Sequence, residues 1–165
     1  MPETEMAPDY LILRSKPLIL KMRSLGAGVE EAEETKISYL EAAYFAERKV
    51  LPLEKDALIS RALGSDPLAR EKYAVIRYLR ERGYIVRPSL DNSPFLRLHR
   101  KGLRPGEDKT YYLIEVLPRS AGLDLGRLMP SLEAAGRLRK ELAIAFCNPD
   151  DEKPTFVKFG RMDFE

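Results

Sequence analysis

Apolar residues recur at helical spacing along residues 67–86, and this stretch predicts an amphipathic helix that leads into a strand. Tyr73, Ile76 and Leu79 fall three positions apart, so their side chains share one helical face. Gly83 follows as the expected end of the helix, where a left-handed backbone is favoured. The next three residues, Tyr-Ile-Val, are typical of a strand.

Shorter apolar runs in the first 66 residues predict a small unit of strands and helices. Residues 10–14 and 17–22 are both apolar, and the Ser-Lys-Pro between them predicts two strands joined by a turn. Residues 25–34 contain two glycines and four glutamates, which predicts an exposed connection. Ser38 is the expected N-cap of the next helix, and Glu41, three positions later, is expected to complete a capping box.

The segments that follow residue 86 predict a mixed sheet with a helix packed against it. Strands are expected at 95–99, 110–117, 142–146 and 155–159, because each is a short apolar run beside polar or turn-forming residues. A helix is expected at 125–139, where leucine and alanine recur on one side.

Together these elements predict an α/β fold, of the mixed α+β kind, in two domains. The chain has 165 residues, which is enough for two small domains with real cores. A strand-and-helix domain is expected at residues 1–66, and a mixed-sheet domain at residues 67–165.

The composition is that of a globular protein, with 44% hydrophobic and 33% charged residues. A single cysteine excludes an internal disulfide and favours a reducing compartment. No apolar run has the length needed to cross a bilayer, and the acidic opening is unlike a secretory signal. These features predict a cytoplasmic protein.

Charge is distributed unevenly along the chain. Residues 70–104 carry ten basic and three acidic residues, whereas residues 1–66 carry nine basic and twelve acidic residues. This asymmetry indicates a polyanionic partner on one face, although a basic run is also typical of a solvated helix face.

The candidate chemistry is limited to a few side chains. One histidine and one cysteine do not provide the ligand spacing of a metal site, and no glycine-rich loop suits a nucleotide phosphate, so neither a metal nor a cofactor is expected. His99 is the only imidazole and the first candidate for proton transfer near neutral pH, although a lone histidine is more often structural. Lys140 lies between a helix and a strand, where it can face a phosphate or simply complement the helix dipole.

Three segments resemble archaeal tRNA-splicing endonucleases. Residues 38–48 resemble the N-terminal-domain helix of that family, residues 73–84 the opening of its catalytic-type domain, and residues 139–142 its lysine motif. They occur in the family's order and extend from about residue 38 to the end. The resemblance implies a small N-terminal domain, a nuclease-like C-terminal domain, and a two-fold symmetric dimer of dimers.

The resemblance also implies metal-free RNA cleavage by a tyrosine, a histidine and a lysine. Lys140 matches the lysine. His99 stands before the Lys101-Gly102 pair, near the place of the tyrosine, and Lys109 occupies the place of the histidine. The catalytic set is therefore degenerate, and the chain resembles the structural subunit of a heterotetrameric enzyme, with no catalytic residue expected.

Two further sets of residues have an expected role in binding. The resemblance implies that an acidic loop docks into a basic pocket of a neighbouring subunit, although such a loop is otherwise a solvated hairpin tip. An apolar C-terminal edge suits pairing between subunits. The expected docking residues are Asp150, Asp151, Glu152, Phe156 and Phe159, and the expected RNA-binding residues are Arg97, Arg100, Lys101 and Arg104.

Three interpretations follow. The first is a structural subunit that supports a catalytic partner in excising introns from precursor tRNA at bulged exon–intron junctions. The second is a self-sufficient, metal-independent ribonuclease that uses His99, Lys109 and Lys140. The third is a basic RNA-binding module without nuclease activity.

Overall fold

The computed structural model describes residues 3–90, 93–101 and 111–164, and these residues form an α+β fold with two β-sheets. The mixed α/β class expected from the sequence is therefore confirmed. The first sheet is antiparallel and lies within residues 4–38, and the second is mixed and lies within residues 86–159. Among the described residues, no helix is both long enough and apolar enough to cross a membrane.

The N-terminal elements form the antiparallel sheet and two helices that follow it. The sheet has the strand order β1-β2-β4-β3. The elements are β1 (Thr4–Met6), β2 (Tyr10–Leu13), α1 (Lys16–Ser24), β3 (Val29–Glu31), β4 (Glu34–Ser38), α2 (Tyr39–Glu47) and α3 (Lys55–Leu63).

Two N-terminal predictions are wrong. Residues 17–22 belong to helix α1 rather than to a strand. Pro17 lies in the first helical turn, where its missing N–H is tolerated, and Met22 is the fully buried residue of the helix. Residues 25–34 are not simply an exposed connection, since β3 and the start of β4 form a hairpin there. Gly28 has φ +72°, and an added Cβ would lie 2.6 Å from Thr35 Cγ2, so glycine is required at that bend.

The C-terminal elements form the mixed sheet and the two longest helices of the described residues. The sheet has the order β5-β6-β7-β8-β9; β7 and β8 are parallel, and the other pairs are antiparallel. The strands expected after residue 86 are all present. The elements are α4 (Ala69–Glu81), β5 (Val86–Pro88), β6 (Leu96–Leu98), β7 (Tyr112–Leu117), α5 (Leu125–Arg137), β8 (Glu141–Phe146) and β9 (Thr155–Phe159).

The mixed sheet is covered on both faces. Ile76 and Leu79 of α4 belong to the same buried cluster as Ile114 of β7. Side chains that alternate with these along the strands point to the other face, where Leu113 lies in one cluster with Ala135 of α5. Strand β9 is the sheet edge, and none of the described strands pairs with the outer side of its backbone.

The predicted capping box is half correct. Ser38 Oγ accepts a hydrogen bond from the Glu41 backbone N–H at 3.1 Å, so Ser38 is the N-cap of α2. Glu41 does not complete the box, because its carboxylate instead pairs with Arg80 of α4 at 2.6 Å. Burial raises the pKa of Glu41 above its ordinary value. This pair joins the two parts of the chain that precede and follow residue 66.

Candidate functional site

Two of the residues that the sequence indicated for chemistry, His99 and Lys140, lie at one end of the mixed sheet. Leu98, Tyr112 and Glu141 are register partners across β6, β7 and β8, so the residues next to them share this sheet end. Strands lie about 4.8 Å apart, which places the backbones of β6 and β8 about 10 Å from each other. We define the strand-end row as the residues immediately beyond those partners, His99, Tyr111 and Lys140.

His99 and Lys140 lie at the same sheet end but line different grooves. The His99 backbone N–H donates to Ile85 O at 2.9 Å, which fixes the chain where it leaves β6. The Lys140 backbone N–H donates to Ala135 O at 2.9 Å after Arg139, whose φ of +53° ends helix α5 sharply. Lys140 then lines a groove between α5 and β9, whereas His99 lines a groove beside α4. The third nominated residue, Lys109, lies outside the described residues.

A tyrosine adjoins the strand-end row but is not suited to act as a base. Burial raises the pKa of Tyr112 to about 12, and a hydrogen bond to the Glu141 carboxylate contributes to the rise. The same carboxylate pairs with Lys158 at 3.1 Å, and this contact lowers the pKa of Glu141. Tyr112 therefore stays protonated at neutral pH and serves as a hydrogen-bond donor.

The groove that contains His99 combines aromatic rings with cations. It has a volume of about 650 Å³ and lies between the C-terminal half of α4 and residues of β6, β7, β8 and β9. We call it the aromatic groove. Its rings and charged or ionisable side chains are Tyr78, Tyr84, Tyr111, Tyr112, Phe156, Arg82, His99, Arg100, Lys101 and Lys158.

Cations lie over three rings in the aromatic groove. The guanidinium carbon of Arg82 is 3.5 Å from the centre of the Tyr78 ring, and that of Arg100 is 4.7 Å from the centre of the Tyr111 ring. Lys101 Nζ lies 5.8 Å from the centre of the third ring, that of Tyr84. These distances are those of cation–π contacts, which hold the cations at the groove surface.

Sequence reasoning did not identify the tyrosines of the aromatic groove. Tyr78 was detectable, since Arg82 follows it by four positions on a helix and such pairs are neighbours. Tyr84 and Tyr111 were not, because each meets a cation that follows β6, and the pairing of β6 with β5 and β7 brings them together.

The expected RNA-binding residues occupy different environments. Arg100 and Lys101 are exposed beside the aromatic groove. Arg97 is half-buried, and its Nε donates to Ser89 Oγ at 3.3 Å. Arg104 lies outside the described residues. Among the three described members of this set, the exposed pair is thus better placed than Arg97 to meet a phosphate.

The acidic turn between β8 and β9 is held in place by an arginine from another element. Arg119, just after β7, donates to the Asp151 carboxylate at 2.5 Å, to Thr155 Oγ1 at 2.8 Å and to Lys153 O at 2.8 Å. The Asn148 backbone N–H also donates to Asp151, at 2.7 Å. The hydrogen bond from the Asn148 backbone N–H lowers the pKa of Asp151 most, and the hydrogen bond from Arg119 lowers it further.

The three carboxylates of the acidic turn therefore differ. Asp151 faces back into the turn, where Arg119 neutralises it, whereas Asp150 and Glu152 are exposed. The sequence pattern alone did not distinguish the three, because Arg119 stands more than 30 positions before the residues that it contacts. The outward negative charge of this turn therefore comes from Asp150 and Glu152.

The edge strand β9 presents apolar side chains to solvent. Phe156 is 38% exposed and lies 5.9 Å from the Tyr78 ring, and Val157 is 37% exposed. Phe159 is less exposed than these two, because it packs against the clusters under α5. Met162 and Phe164 beyond the strand are 78% and 87% exposed.

The described residues contain no group of three or more His, Cys, Asp or Glu placed to hold a metal ion. The single cysteine, Cys147, is fully buried, and burial raises the pKa of its thiol to about 11. It is therefore neither a metal ligand nor a nucleophile in the folded chain.

Comparison with known proteins identifies the family. The model of the tRNA intron endonuclease catalytic C-terminal domain matches residues 69–156. A tRNA-splicing endonuclease of Thermococcus kodakarensis is 31% identical over 136 residues, which cover 74% of this chain and 78% of the relative. The chain belongs to the tRNA-splicing endonuclease family.

Two other tRNA-splicing endonucleases agree with this assignment. The protein of Methanothermobacter thermautotrophicus is 32% identical over 127 residues, covering 73% of this chain and 74% of the relative. The protein of Methanococcoides burtonii is 25% identical over 155 residues, which cover 90% of this chain but only 43% of that relative. Residues 69–156, which the model of the tRNA intron endonuclease catalytic C-terminal domain matches, contain His99, Lys140 and the whole acidic turn.

Proposed function

We propose that this chain is the structural subunit of a heterotetrameric tRNA-splicing endonuclease. It supports a catalytic subunit in the cytoplasm by docking to it and by binding precursor tRNA, whose introns the assembly excises at bulged exon–intron junctions. The observation that carries this proposal is the position of the one histidine in the sequence. His99 stands just before the Lys101-Gly102 pair, whereas the position three residues before Tyr112-Leu113, at the start of β7, is occupied by Lys109.

The chemistry of RNA cleavage explains why one imidazole is insufficient. A base removes the proton of the 2′-hydroxyl, whose oxygen attacks phosphorus, and an acid protonates the departing 5′ oxygen, leaving a 2′,3′-cyclic phosphate. A base and an acid that both work near neutral pH are therefore needed, and His99 can supply only one of them. Tyr112, with a pKa of about 12, and Cys147, with a pKa of about 11, are poor candidates for the second.

Docking is assigned to the acidic turn and the sheet edge. Asp150 and Glu152 project from a turn that Arg119 holds rigid, so little conformational entropy is lost when they enter a basic pocket. Phe156 lies on the open edge of β9, where main-chain hydrogen bonds and an apolar contact are both available to a partner strand.

The test is co-expression with a catalytic subunit of the family that retains its tyrosine, histidine and lysine. The two chains should co-purify and cleave an intron-containing precursor tRNA in the presence of EDTA, while this chain alone should show no cleavage. Failure of the chains to associate, or full activity of the partner without this chain, would overturn the proposal.

One observation favours a second candidate, a self-sufficient metal-independent ribonuclease. His99 and Lys140 share a sheet end, and Lys109 is the third residue of that hypothesis. This candidate predicts robust cleavage by the lone chain with EDTA present, abolished by His99→Ala. The same assay therefore separates the two candidates.

A further inference from the structure

Strands β5 and β6 place two arginines directly opposite each other. Arg87 of β5 and Arg97 of β6 are register partners in an antiparallel pair, so they share one face of the sheet, with Cβ atoms about 5 Å apart. Like charges at directly opposite positions destabilise a sheet. Both residues are half-buried, so salt screens their repulsion less than it would on an open surface. The pair therefore destabilises the sheet unless an anion lies beside it.

The described carboxylates do not neutralise this pair. Within residues 3–90, 93–101 and 111–164, neither arginine forms an ion pair. Glu41 is close to Arg87 but pairs with Arg80 at 2.6 Å. Burial lowers the pKa of Arg80, and the charge of Arg87 lowers it further. Glu115 of β7 lies on the same face of the sheet as Arg97 but is not paired with it.

The hydrogen bonds of the two arginines leave N–H groups for a ligand. Arg87 donates from Nε to Gly26 O and from Nη1 to Gly28 O, both at 3.0 Å, and these contacts hold its side chain in place. Arg97 donates from Nε to Ser89 Oγ at 3.3 Å, and its two terminal nitrogens have no acceptor among the described residues. The Ser89 hydroxyl can also donate its own proton. A set of donors with excess positive charge suits an oxyanion.

A phosphate fits this arrangement better than a carboxylate does. A carboxylate carries one negative charge and can neutralise one arginine, whereas a phosphate monoester carries about −1.5 to −2 at neutral pH and has three acceptor oxygens. The planar guanidinium fork also matches the geometry of phosphate oxygens. Arg100 and Lys101 are more open to a phosphate, whereas Arg87 and Arg97 can surround one with two guanidiniums.

We propose that Arg87, Arg97 and Ser89 form a binding site for one phosphate group. The two guanidiniums neutralise its charge, and the terminal N–H groups of Arg97 and the Ser89 hydroxyl donate to its oxygens. Bound phosphate relieves the repulsion between the arginines, so binding stabilises the fold. The phosphate belongs either to an RNA backbone or to a free phosphate compound, and the first of these sources rests on the proposed RNA-binding role of the subunit.

Thermal melts of the purified full chain, followed by circular dichroism, test the site with inorganic phosphate as the probe. Phosphate should raise the melting temperature of the wild type more than sodium chloride of equal ionic strength does. Arg97→Met should abolish this difference, because it removes one guanidinium and keeps an apolar stem. Ser89→Ala keeps both arginines and should weaken phosphate affinity about two- to tenfold.

The same melts separate a binding role from a purely structural one. Without phosphate at low ionic strength, Arg97→Met should not lower the melting temperature, because the repulsion between the arginines is relieved. A residue that served only to stabilise the sheet would lower it. The matched control is Arg70→Met, which removes one exposed charge of α4 that has no ion-pair partner in the described part of the chain. It should respond to phosphate as the wild type does.

A second measurement identifies the source of the phosphate. Binding of labelled precursor tRNA to the full chain is measured at several salt concentrations. If Arg97→Met lowers the slope of log affinity against log salt by about one, the site holds an RNA phosphate. An unchanged slope, with the phosphate response lost, assigns the site to a free phosphate compound. Both results support the site.

Two results would overturn the phosphate site. They are a wild type that responds equally to phosphate and chloride, and an Arg97→Met variant that keeps the full phosphate response. The melts contain neither RNA nor a partner subunit. Cleavage of precursor tRNA by the lone chain would therefore contradict the structural-subunit proposal and leave the phosphate site standing, so the two failures are distinguishable.

Discussion

The guanidinium of Arg80 donates to the Glu41 carboxylate at 2.6 Å, and the two side chains are only 5% and 2% exposed. The same guanidinium donates to Leu25 O at 2.8 Å and to Val86 O at 3.3 Å. One buried side chain of α4 thus holds the end of α1, helix α2 and strand β5 together.

Removing the carboxylate of this pair should be strongly destabilising. Glu41→Gln leaves a buried cation without a counter-charge, and such a loss costs about 3–5 kcal/mol. Urea denaturation followed by circular dichroism measures the free energy of unfolding. The control is Glu30→Gln, which breaks the exposed Arg23–Glu30 pair at 2.6 Å and should hardly move the midpoint. Equal effects of the two substitutions would contradict a structural role for the buried pair.

Docking should depend on the two outward carboxylates of the acidic turn. The double substitution Asp150→Asn, Glu152→Gln removes charge without touching Arg119, so the turn should keep its shape. Affinity for the catalytic subunit should fall at least about tenfold at low salt. Titration calorimetry checks this, with Asp163→Asn, an exposed carboxylate beyond β9, as the control. Unchanged affinity would reduce the turn to a hairpin tip.

Arg119→Met should weaken the same association by a different route. It removes the hydrogen bonds to Asp151, Thr155 and Lys153 and so loosens the turn, although the outward carboxylates remain. The association rate should stay nearly constant while dissociation accelerates, because the long-range charge that guides encounter is not reduced. Surface plasmon resonance separates the two rates, and a slower association alone would contradict this assignment.

The pH dependence of stability follows from Asp151. Its pKa is lowered in the folded chain by the hydrogen bonds from Asn148 and Arg119. The ionised carboxylate therefore stabilises the folded state above the ordinary carboxyl pKa, and this contribution is lost as pH falls below about 4. Thermal melts from pH 6 to pH 2 should show a steeper decline for the wild type than for Asp151→Asn. Parallel declines would mean that the turn does not contribute.

Cys147 should be unreactive until the chain unfolds. Its side chain is fully buried, and burial raises the pKa of its thiol to about 11. Ellman's reagent at pH 8 should label no thiol in the native chain and one thiol in urea. Rapid labelling without denaturant would show that the start of the acidic turn opens readily.

The sequence was most informative where local pattern and environment coincide. Strand β9 was predicted with the bounds Thr155–Phe159 that the structure shows, because a short apolar run follows a proline-containing turn. Residues 17–22 were mistaken for a strand, since so short an apolar run fits both the helical and the strand spacing of apolar residues. The structure shows a helix there, with Met22 as its fully buried residue.

The site was predictable only in part, for a related reason. His99, Lys140 and the acidic turn stand out as residue types in order along the chain. The aromatic groove and the Arg119 contacts do not, because they depend on which strands become neighbours. Tyr111 meets Arg100 only because β7 pairs with β6.

Arg119, which holds the acidic turn in place, lies outside the turn, and this determines how the turn can be imitated. A linear peptide of residues 146–156 contains both outward carboxylates but not Arg119, so it would sample many conformations and lose entropy on entering a pocket. Joining the two ends of that peptide covalently replaces the constraint that Arg119 supplies. A cyclic peptide, rather than a linear one, is therefore the form in which this turn should compete with the whole subunit for its partner.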